Sequence, residues 1–259
     1  MPCDNQNRAC LAATKTGSAL SIPNDIFMIL TEKNNGILKV TLNFPQKMNC
    51  MGFEMLIGLQ KAVQQAKVDE EIKLLLITGA GERAFSSGAN IKEFQALTGE
   101  KVKEWIRLGN EVNNEIEALS MPTVALVNGY AMGGGLELAL ACDFRLATPN
   151  ALLASPEVKN GWLPGWGGMT RLRNLFGEPL AKRLVLGSEY VDAQEAYRLG
   201  LVTKIVEEQE QTDAFLNGLL EIKGATYSIA KSALQNPHRR TDGVDVIFDV
   251  LAVQIANES

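Results

Sequence analysis

The sequence predicts an α/β fold, and two patterns support that prediction. Apolar segments of strand length alternate with longer segments in which apolar residues recur at helical spacing. Short turns containing Gly or Pro separate these segments, which is typical of parallel strands joined by helices. The 259 residues, of which 46% are hydrophobic and 21% charged, are enough for one such domain with a sizeable core.

The predicted elements follow one another in a regular order. Residues 26–30 and 37–42 flank the turn sequence Asn34-Asn35-Gly36 and predict a β-hairpin. The next elements are a helix over 55–66, a strand over 72–78, a helix over 102–119, a strand over 123–127, a helix over 136–142 and a strand over 143–147. Helical segments follow over 172–186 and 193–199 and after Thr212 and Ala225. We therefore predict a flexible tail over 1–24, an α/β core over 25–205 and a helical region over 206–259.

Composition argues against several classes of protein. The apolar runs at 74–77 and 138–142 fall short of the roughly 20 residues that span a membrane. A net charge of −5 disfavours binding to a nucleic-acid backbone. The cysteines show no Cys-x-x-Cys spacing, so we expect reduced thiols, a cytoplasmic location and no metal site. His238 lies in a polar run, which leaves carboxylates, lysines and backbone amides for chemistry.

Two turns with small residues, at 83–92 and 128–137, each join a strand to a helix. Small residues allow backbone N–H groups to face a ligand, and a helix N-terminus adds partial positive charge. Two such turns brought together would form an oxyanion hole, although each alone is equally consistent with a tight turn. Neither matches a dinucleotide-binding or phosphate-binding fingerprint.

Two glutamates accompany these turns. Glu137 lies in the first turn of an apolar helix, and Glu157 precedes the Gly/Pro/Trp loop at 161–171. Glu137 could simply complement the helix dipole, and Glu157 could be a solvated loop charge. Because the neighbours of Glu137 are apolar, we expect its side chain to face a pocket.

Together these motifs resemble the enoyl-CoA hydratase (crotonase) family over about residues 26–205. The resemblance is carried by Ala84-Phe85-Ser86-Ser87-Gly88-Ala89, by the segment 127–135, by Pro156-Glu157 and by the segment 164–168. It implies a spiral of ββα units with a C-terminal helical trimerisation region. It also implies a homotrimer or a dimer of trimers.

The resemblance further implies an acyl-CoA substrate, with coenzyme A as part of the substrate and no other cofactor. The thioester oxygen would lie between the amides of Ala89 and Gly134. Glu137 would activate water, Glu157 would protonate the α-carbon, and the Gly165 amide would orient the water. The implied substrate contacts are Arg83, Ser87, Ala89, Ile91, Lys92, Gly133, Gly134, Trp162 and Trp166.

We therefore expect reversible syn hydration of a trans-2-enoyl-CoA. Asn90, where relatives often carry aspartate, is expected to matter for structure more than for catalysis. Trp162 and Trp166 could narrow the acyl pocket or pack into the core or a subunit contact. The family's usual basic C-terminal helix has no counterpart before Ser259, so we expect either that the chain is shortened or that the nucleotide is held less tightly.

Two alternatives remain open. One is a dehydratase or isomerase of the same fold that acts on another thioester, such as one linked to an acyl carrier protein. The other is a non-catalytic binding protein, with RNA contacts through Arg239-Arg240.

Overall fold

The computed structural model describes residues 27–235, which form two β-sheets and the helices around them. The strands are β1 (Ile29–Asn34), β2 (Ile37–Leu42), β3 (Leu74–Gly79), β4 (Ala84–Ser86), β5 (Thr123–Val127), β6 (Tyr130–Met132), β7 (Phe144–Ala147), β8 (Leu152–Ala154), β9 (Tyr190–Asp192) and β10 (Lys204–Ile205). The helices are α1 (Phe53–Val68), α2 (Ile91–Ala96), α3 (Glu100–Glu117), α4 (Gly134–Ala141), α5 (Gly168–Val185), α6 (Ala193–Arg198), α7 (Gln209–Leu220) and α8 (Gly224–Gln235).

The chain repeats a ββα unit, and each repeat adds one strand to each sheet. The pairs β3/β4, β5/β6 and β7/β8 each place one strand in the six-stranded sheet and one in the four-stranded sheet. The strand orders are β1-β2-β3-β5-β7-β10 and β4-β6-β8-β9. Only β1–β2 and β8–β9 pair antiparallel among the described strands. The predicted α/β class and spiral of ββα units are confirmed.

The first strand lies later than predicted. The hairpin is present, with Asn35 and Gly36 at φ 48° and 79° as a two-residue turn requires, but β1 covers Ile29–Asn34 rather than 26–30. This edge strand is almost wholly exposed, so its residues carry no apolar alternation to mark it. The apolar run at 26–30 led us to predict the strand too early in the chain.

The larger sheet is buried on both faces. Every residue of β3 is buried. On one face, Leu75 and Ile77 join the main core with α1 and α3; on the other, Leu74 and Leu76 pack with Leu216 of α7. Burial on both faces explains why this strand is a continuous apolar run in the sequence.

The smaller sheet was not predicted, because each of its strands has only three residues. Such strands are too short for alternation to be recognised. The predicted helix over 172–186 is also two segments, since Gly177 (φ 82°) breaks α5 just before Pro179.

Asp143 ties α8, the last described helix, to the core. Its Oδ2 atom accepts hydrogen bonds from the backbone N–H and hydroxyl of Thr123, at 2.9 and 3.0 Å. From α8 it also accepts bonds from the Tyr227 hydroxyl at 2.9 Å and from Lys231 Nζ at 2.8 Å. Asp143 and Lys231 are both largely removed from water, so each charge depends on the other.

Some of the predictions concern residues that the structure does not describe. The expectations for the tail 1–24, His238 and Arg239-Arg240 fall outside residues 27–235. Within that range no helix has the length and apolar character to cross a membrane. No cluster of three or more potential metal ligands occurs there either.

We predict that Lys231→Ala lowers the free energy of unfolding by about 3 kcal/mol, because it leaves Asp143 buried and uncompensated. The exposed i,i+3 pair Lys103–Glu100 provides the control. Lys103→Ala should cost less than about 0.5 kcal/mol. Denaturant titration of both variants makes the comparison, and equal losses would contradict a supporting role for Asp143.

Candidate active site

Two backbone loops meet at the N-terminus of α4. Gly88 has φ +87°, and a Cβ atom placed there would lie 2.4 Å from the carbonyl oxygen of Met132 and 2.9 Å from the amide nitrogen of Gly134. The loops therefore touch through their backbones, which only glycine permits. Within the described chain, the amides of Gly88 and Gly133 donate to protein oxygens, whereas no such bond engages the amides of Ala89 and Gly134.

Glu137 is buried, with 3% of its surface exposed, in the first turn of α4. Its Oε1 atom accepts hydrogen bonds from the backbone N–H groups of Trp166 and Gly168, both at 2.8 Å. A Cβ atom at position 168 would lie 2.6 Å from Cγ of Glu137, so glycine is needed for this approach. The expectation that Glu137 faces a pocket rather than bulk water agrees with its position in the cavity wall.

Glu157 is half-buried and approaches the same loop from the other side. The Ser155 hydroxyl donates to its Oε2 atom at 2.8 Å. Its Oε1 atom lies 2.8 Å from the position that a Cβ atom on Gly133 would occupy. Glu157 therefore lies directly against the glycine that precedes α4.

Burial makes both carboxyl groups harder to ionise. It raises the pKa of Glu137 to about 7; the N–H groups of Gly168 and Trp166 oppose this rise, and the nearby Glu157 adds to it. Burial likewise raises the pKa of Glu157, against hydrogen bonds from its own backbone N–H and from the Ser155 hydroxyl. A carboxyl group with a pKa of about 7, such as that of Glu137, can exchange protons with a substrate near neutral pH.

The loop that binds Glu137 is held in place by α3. Asn110 donates to the carbonyl oxygen of Gly165, and Asn113 donates to that of Trp166 at 3.0 Å. The Trp166 indole fills the space between Gly109 and Gly134, where added Cβ atoms would lie 2.3 and 2.4 Å from its ring. Sequence reasoning missed these two asparagines, because polar residues on a helix give no signal of which loop they contact.

A second anchor comes from Arg171, which the sequence reasoning also missed. Its NH1 atom donates to the carbonyl oxygen of Trp166 at 3.0 Å, and its NH2 atom pairs with Glu117 at 2.7 Å. Arg171 is 6% exposed, so the guanidinium is part of the buried support of the loop. The Arg171 charge is also near enough to oppose the rise in the Glu137 pKa.

Glu137 and Glu157 line one cavity of about 270 Å³. Ser87, Ala89, Ile91, Phe94, Trp105, Ile106, Gly133, Gly134, Glu137, Pro156, Glu157, Asn160, Trp162, Leu163, Gly165 and Trp166 line it. All five residues predicted as catalytic therefore line the cavity: Ala89, Gly134, Glu137, Glu157 and Gly165. Both tryptophans of the loop are there too, Trp166 as a core residue that also forms the wall and Trp162 half-buried against Phe94.

Arg83 and Lys92 do not line the cavity. Both are exposed, on the turn after β3 and on α2 respectively. Asn90 has a structural role, as expected. Its side chain accepts a hydrogen bond from the Glu93 backbone N–H and caps α2.

A family model described as enoyl-CoA hydratase/isomerase matches residues 32–246. The chain belongs to the enoyl-CoA hydratase/isomerase family. A crotonyl-CoA hydratase of Syntrophomonas wolfei is 41% identical over 182 residues, 70% of each protein. A short-chain-enoyl-CoA hydratase of Clostridium acetobutylicum is 36% identical over 207 residues, 80% of this chain and 78% of that one. The predicted family and the predicted hydro-lyase class are confirmed.

Solved structures that are similar to this chain have the same fold. An enoyl-CoA hydratase from Thermoplasma volcanium superimposes with a TM-score of 0.84 at 27% identity, over 89% of this chain and 93% of that one. DspI from Pseudomonas aeruginosa gives a TM-score of 0.80 at 32% identity, over 92% of this chain and 91% of that one.

We predict that Glu137→Gln flattens the pH dependence of stability. Because folding raises the pKa of Glu137, this group favours the folded state below pH about 4.5, and its contribution is lost as the pH rises through about 7. Between pH 5 and pH 8 the free energy of unfolding should therefore fall less in the variant than in the wild type, by on the order of 2 kcal/mol. Urea titrations at both pH values measure this.

The matched control for that titration is Glu54→Gln, which alters an exposed glutamate in the first turn of α1. It should leave the pH dependence as in the wild type. An identical pH dependence in the wild type and Glu137→Gln would show that the Glu137 carboxyl is not buried as described.

Proposed function

We propose that this protein catalyses the reversible syn addition of water to a trans-2-enoyl-CoA, giving a 3-hydroxyacyl-CoA. The observation that carries the proposal is that Glu137 and Glu157 line one cavity with Ala89 and Gly134. Two carboxyl groups with raised pKa values, beside amides that donate to no protein oxygen within residues 27–235, suit addition to a conjugated thioester. The names of the two bacterial relatives support a short acyl chain.

In this proposal the amides of Ala89 and Gly134 bind the thioester carbonyl oxygen. Attack at the β-carbon moves negative charge onto that oxygen and forms an enolate. The N-terminal end of α4 adds positive potential at the same place, because Gly134 is its first residue. Donors fixed in a water-poor cavity stabilise such charge without reorganisation.

Glu137 acts as the base in this proposal. Trp166 and Gly168 occupy its Oε1 atom, so Oε2 is the atom that takes a proton from water. The water oxygen bonds to the β-carbon as its proton passes to Glu137. The Gly165 amide, in the same wall, helps to orient that water.

Glu157 acts as the acid. Ser155 holds its Oε2 atom, which leaves Oε1, against Gly133, to deliver a proton to the α-carbon of the enolate. The product has gained one water, and the proton on Glu137 returns to Glu157 through solvent. In this proposal both groups act on the same face of the alkene, which is what syn addition requires.

We predict that crotonyl-CoA loses its enoyl thioester absorbance on addition of the enzyme. Glu137→Gln and Glu157→Gln should each lower kcat by roughly 10²–10⁴-fold, because each removes a proton-transfer group. Exposed Glu54→Gln serves as the control and should retain wild-type turnover. Unchanged turnover in either active-site variant would contradict its role.

We also predict a bell-shaped pH profile of kcat/KM. Protonation of Glu137 removes the base, so the acid limb should have its midpoint near pH 7. Ionisation of Glu157 removes the acid, so the rate depends on the protonation of this group in the opposite sense; burial raises its pKa as well. A rate that rises steadily as pH falls below 6 would contradict the assignment of Glu137 as base.

The family resemblance extends the proposal to assembly and location. We propose a homotrimer or dimer of trimers, located in the cytoplasm, with exposed Arg83 and Lys92 near the coenzyme. Sedimentation analysis of the purified full chain tests the assembly. A monomer at micromolar concentration would contradict it.

A further inference from the structure

Asn110 of α3 holds a carbonyl group in the loop that binds Glu137. Its Nδ2 atom donates to the carbonyl oxygen of Gly165 and, at 3.1 Å, to that of Ile106 in its own helix. Its Oδ1 atom lies 3.4 Å from the position that a Cβ atom on Gly167 would occupy. Both hydrogens of the Nδ2 group are therefore used, and a flipped carboxamide would place its oxygen against two carbonyl oxygens.

The carbonyl of Gly165 and the N–H of Trp166 belong to one peptide group. That N–H donates to the Oε1 atom of Glu137 at 2.8 Å. Because a peptide group is planar, a side chain that fixes the carbonyl oxygen also fixes the direction of the N–H. Hydrogen bonds in such a chain polarise one another, so the bond from Asn110 strengthens the bond to the carboxylate. Asn110 therefore acts on Glu137 through a single peptide group.

Gly165 also has a part of its own in the proposed reaction. It lines the cavity, and its N–H is the amide proposed to orient the water. We propose that Asn110 is the positioning residue for the attacking water. By binding Gly165 it holds in place both groups that contact this water, the Glu137 carboxyl and the Gly165 amide. This inference rests on the proposed function, because it takes Glu137 as the base.

Asn113, three residues further along α3, makes a similar contact with a different consequence. Its Nδ2 atom donates to the carbonyl oxygen of Trp166 at 3.0 Å. The N–H of that peptide group belongs to Gly167, whereas Glu137 is bound by the N–H groups on either side of it. The NH1 atom of Arg171 donates to the same carbonyl oxygen, also at 3.0 Å. Removal of the Asn113 amide therefore leaves this carbonyl with a partner.

Substitution of either asparagine leaves the charges around Glu137 unchanged. The charged groups that face it are Glu157, from the segment after β8, and Arg171, from α5. Glu117 of α3 pairs with Arg171, and Tyr130 of β6 is exposed. The strand β4, which also packs against α4, contains no titratable residue. A change in the pKa of Glu137 therefore reports on its hydrogen bonds rather than on a neighbouring charge.

The test measures the protonation of Glu137 in the free protein, so it does not depend on catalysis. The full chain, with ¹³C in its glutamate side-chain carboxyl groups, is titrated by NMR. The signal that titrates near pH 7 and is lost in Glu137→Gln is assigned to this residue. The variants are Asn110→Leu and the matched control Asn113→Leu, which remove the same amide from the same helix.

We expect Asn110→Leu to raise the titration midpoint of Glu137 by about one pH unit, because the ionised carboxylate loses a well-placed donor. The acid limb of the kcat/KM profile should move in the same direction by the same amount. For crotonyl-CoA, kcat should fall about tenfold and KM should change by less than about threefold, since the loops of Ala89 and Gly134 are untouched. Asn113→Leu should leave the midpoint within about 0.3 pH units of the wild type.

Three outcomes would overturn the inference. An unchanged midpoint in folded Asn110→Leu would reduce Asn110 to a structural contact. Equal shifts in both variants would assign the effect to the loop as a whole rather than to one peptide group. A raised KM with unchanged kcat would assign Asn110 to substrate binding. If Asn110→Leu does not fold, Asn110→Ser, whose side chain is too short to reach the carbonyl oxygen, carries the same expectations.

The crotonyl-CoA assay of the wild type distinguishes these failures from failure of the proposed function. A shifted Glu137 midpoint in Asn110→Leu, without hydration by the wild type, would retain the control of Glu137 by Asn110 and remove the hydratase proposal. Hydration by the wild type with an unshifted midpoint in the variant would do the reverse.

Discussion

The burial of a carboxyl group in the first turn of α4 is the constraint on which the site depends. All residues of this helix are buried, so Glu137 has little water around it and must take its hydrogen bonds from protein. The donors come from Trp166 and Gly168, far along the chain. Whatever holds that loop over α4 therefore controls the ionisation of the group.

Close contacts at both ends of α4 hold this helix in place. A Cβ atom on Gly135 would lie 2.3 Å from the carbonyl oxygen of Ser86, so β4 and α4 are in contact through glycine. At the other end of the helix, buried Arg145 donates to the carbonyl oxygen of Cys142 at 2.7 Å and to that of Leu201 at 2.7 Å. A cation at the C-terminal end complements the helix dipole whose positive end lies beside the cavity.

The sequence predicted the helices, strands and turns that depend on the local pattern of residues. The long helices α1 and α3 and the buried strand β3 follow from apolar spacing, and the glycine turns before α2 and α4 follow from residue type. The exposed strand β1 was misplaced and the three-residue strands of the smaller sheet were missed, because neither leaves a periodic signal.

The site was predictable to the extent that its residues belong to motifs. Glu137, Glu157 and the two amide-bearing loops were identified through the family resemblance. The support of the loop by Asn110, Asn113 and Arg171 was not, because these contacts join helices that are distant in sequence.

The central claim is that Glu137 and Glu157 act on one water from one cavity. Hydration of crotonyl-CoA in D₂O, followed by NMR of the early 3-hydroxybutyryl product, tests it most directly. The account predicts one deuterium at the α-carbon, in the single diastereomer that corresponds to syn addition. A mixture of diastereomers, or the anti product, would contradict it.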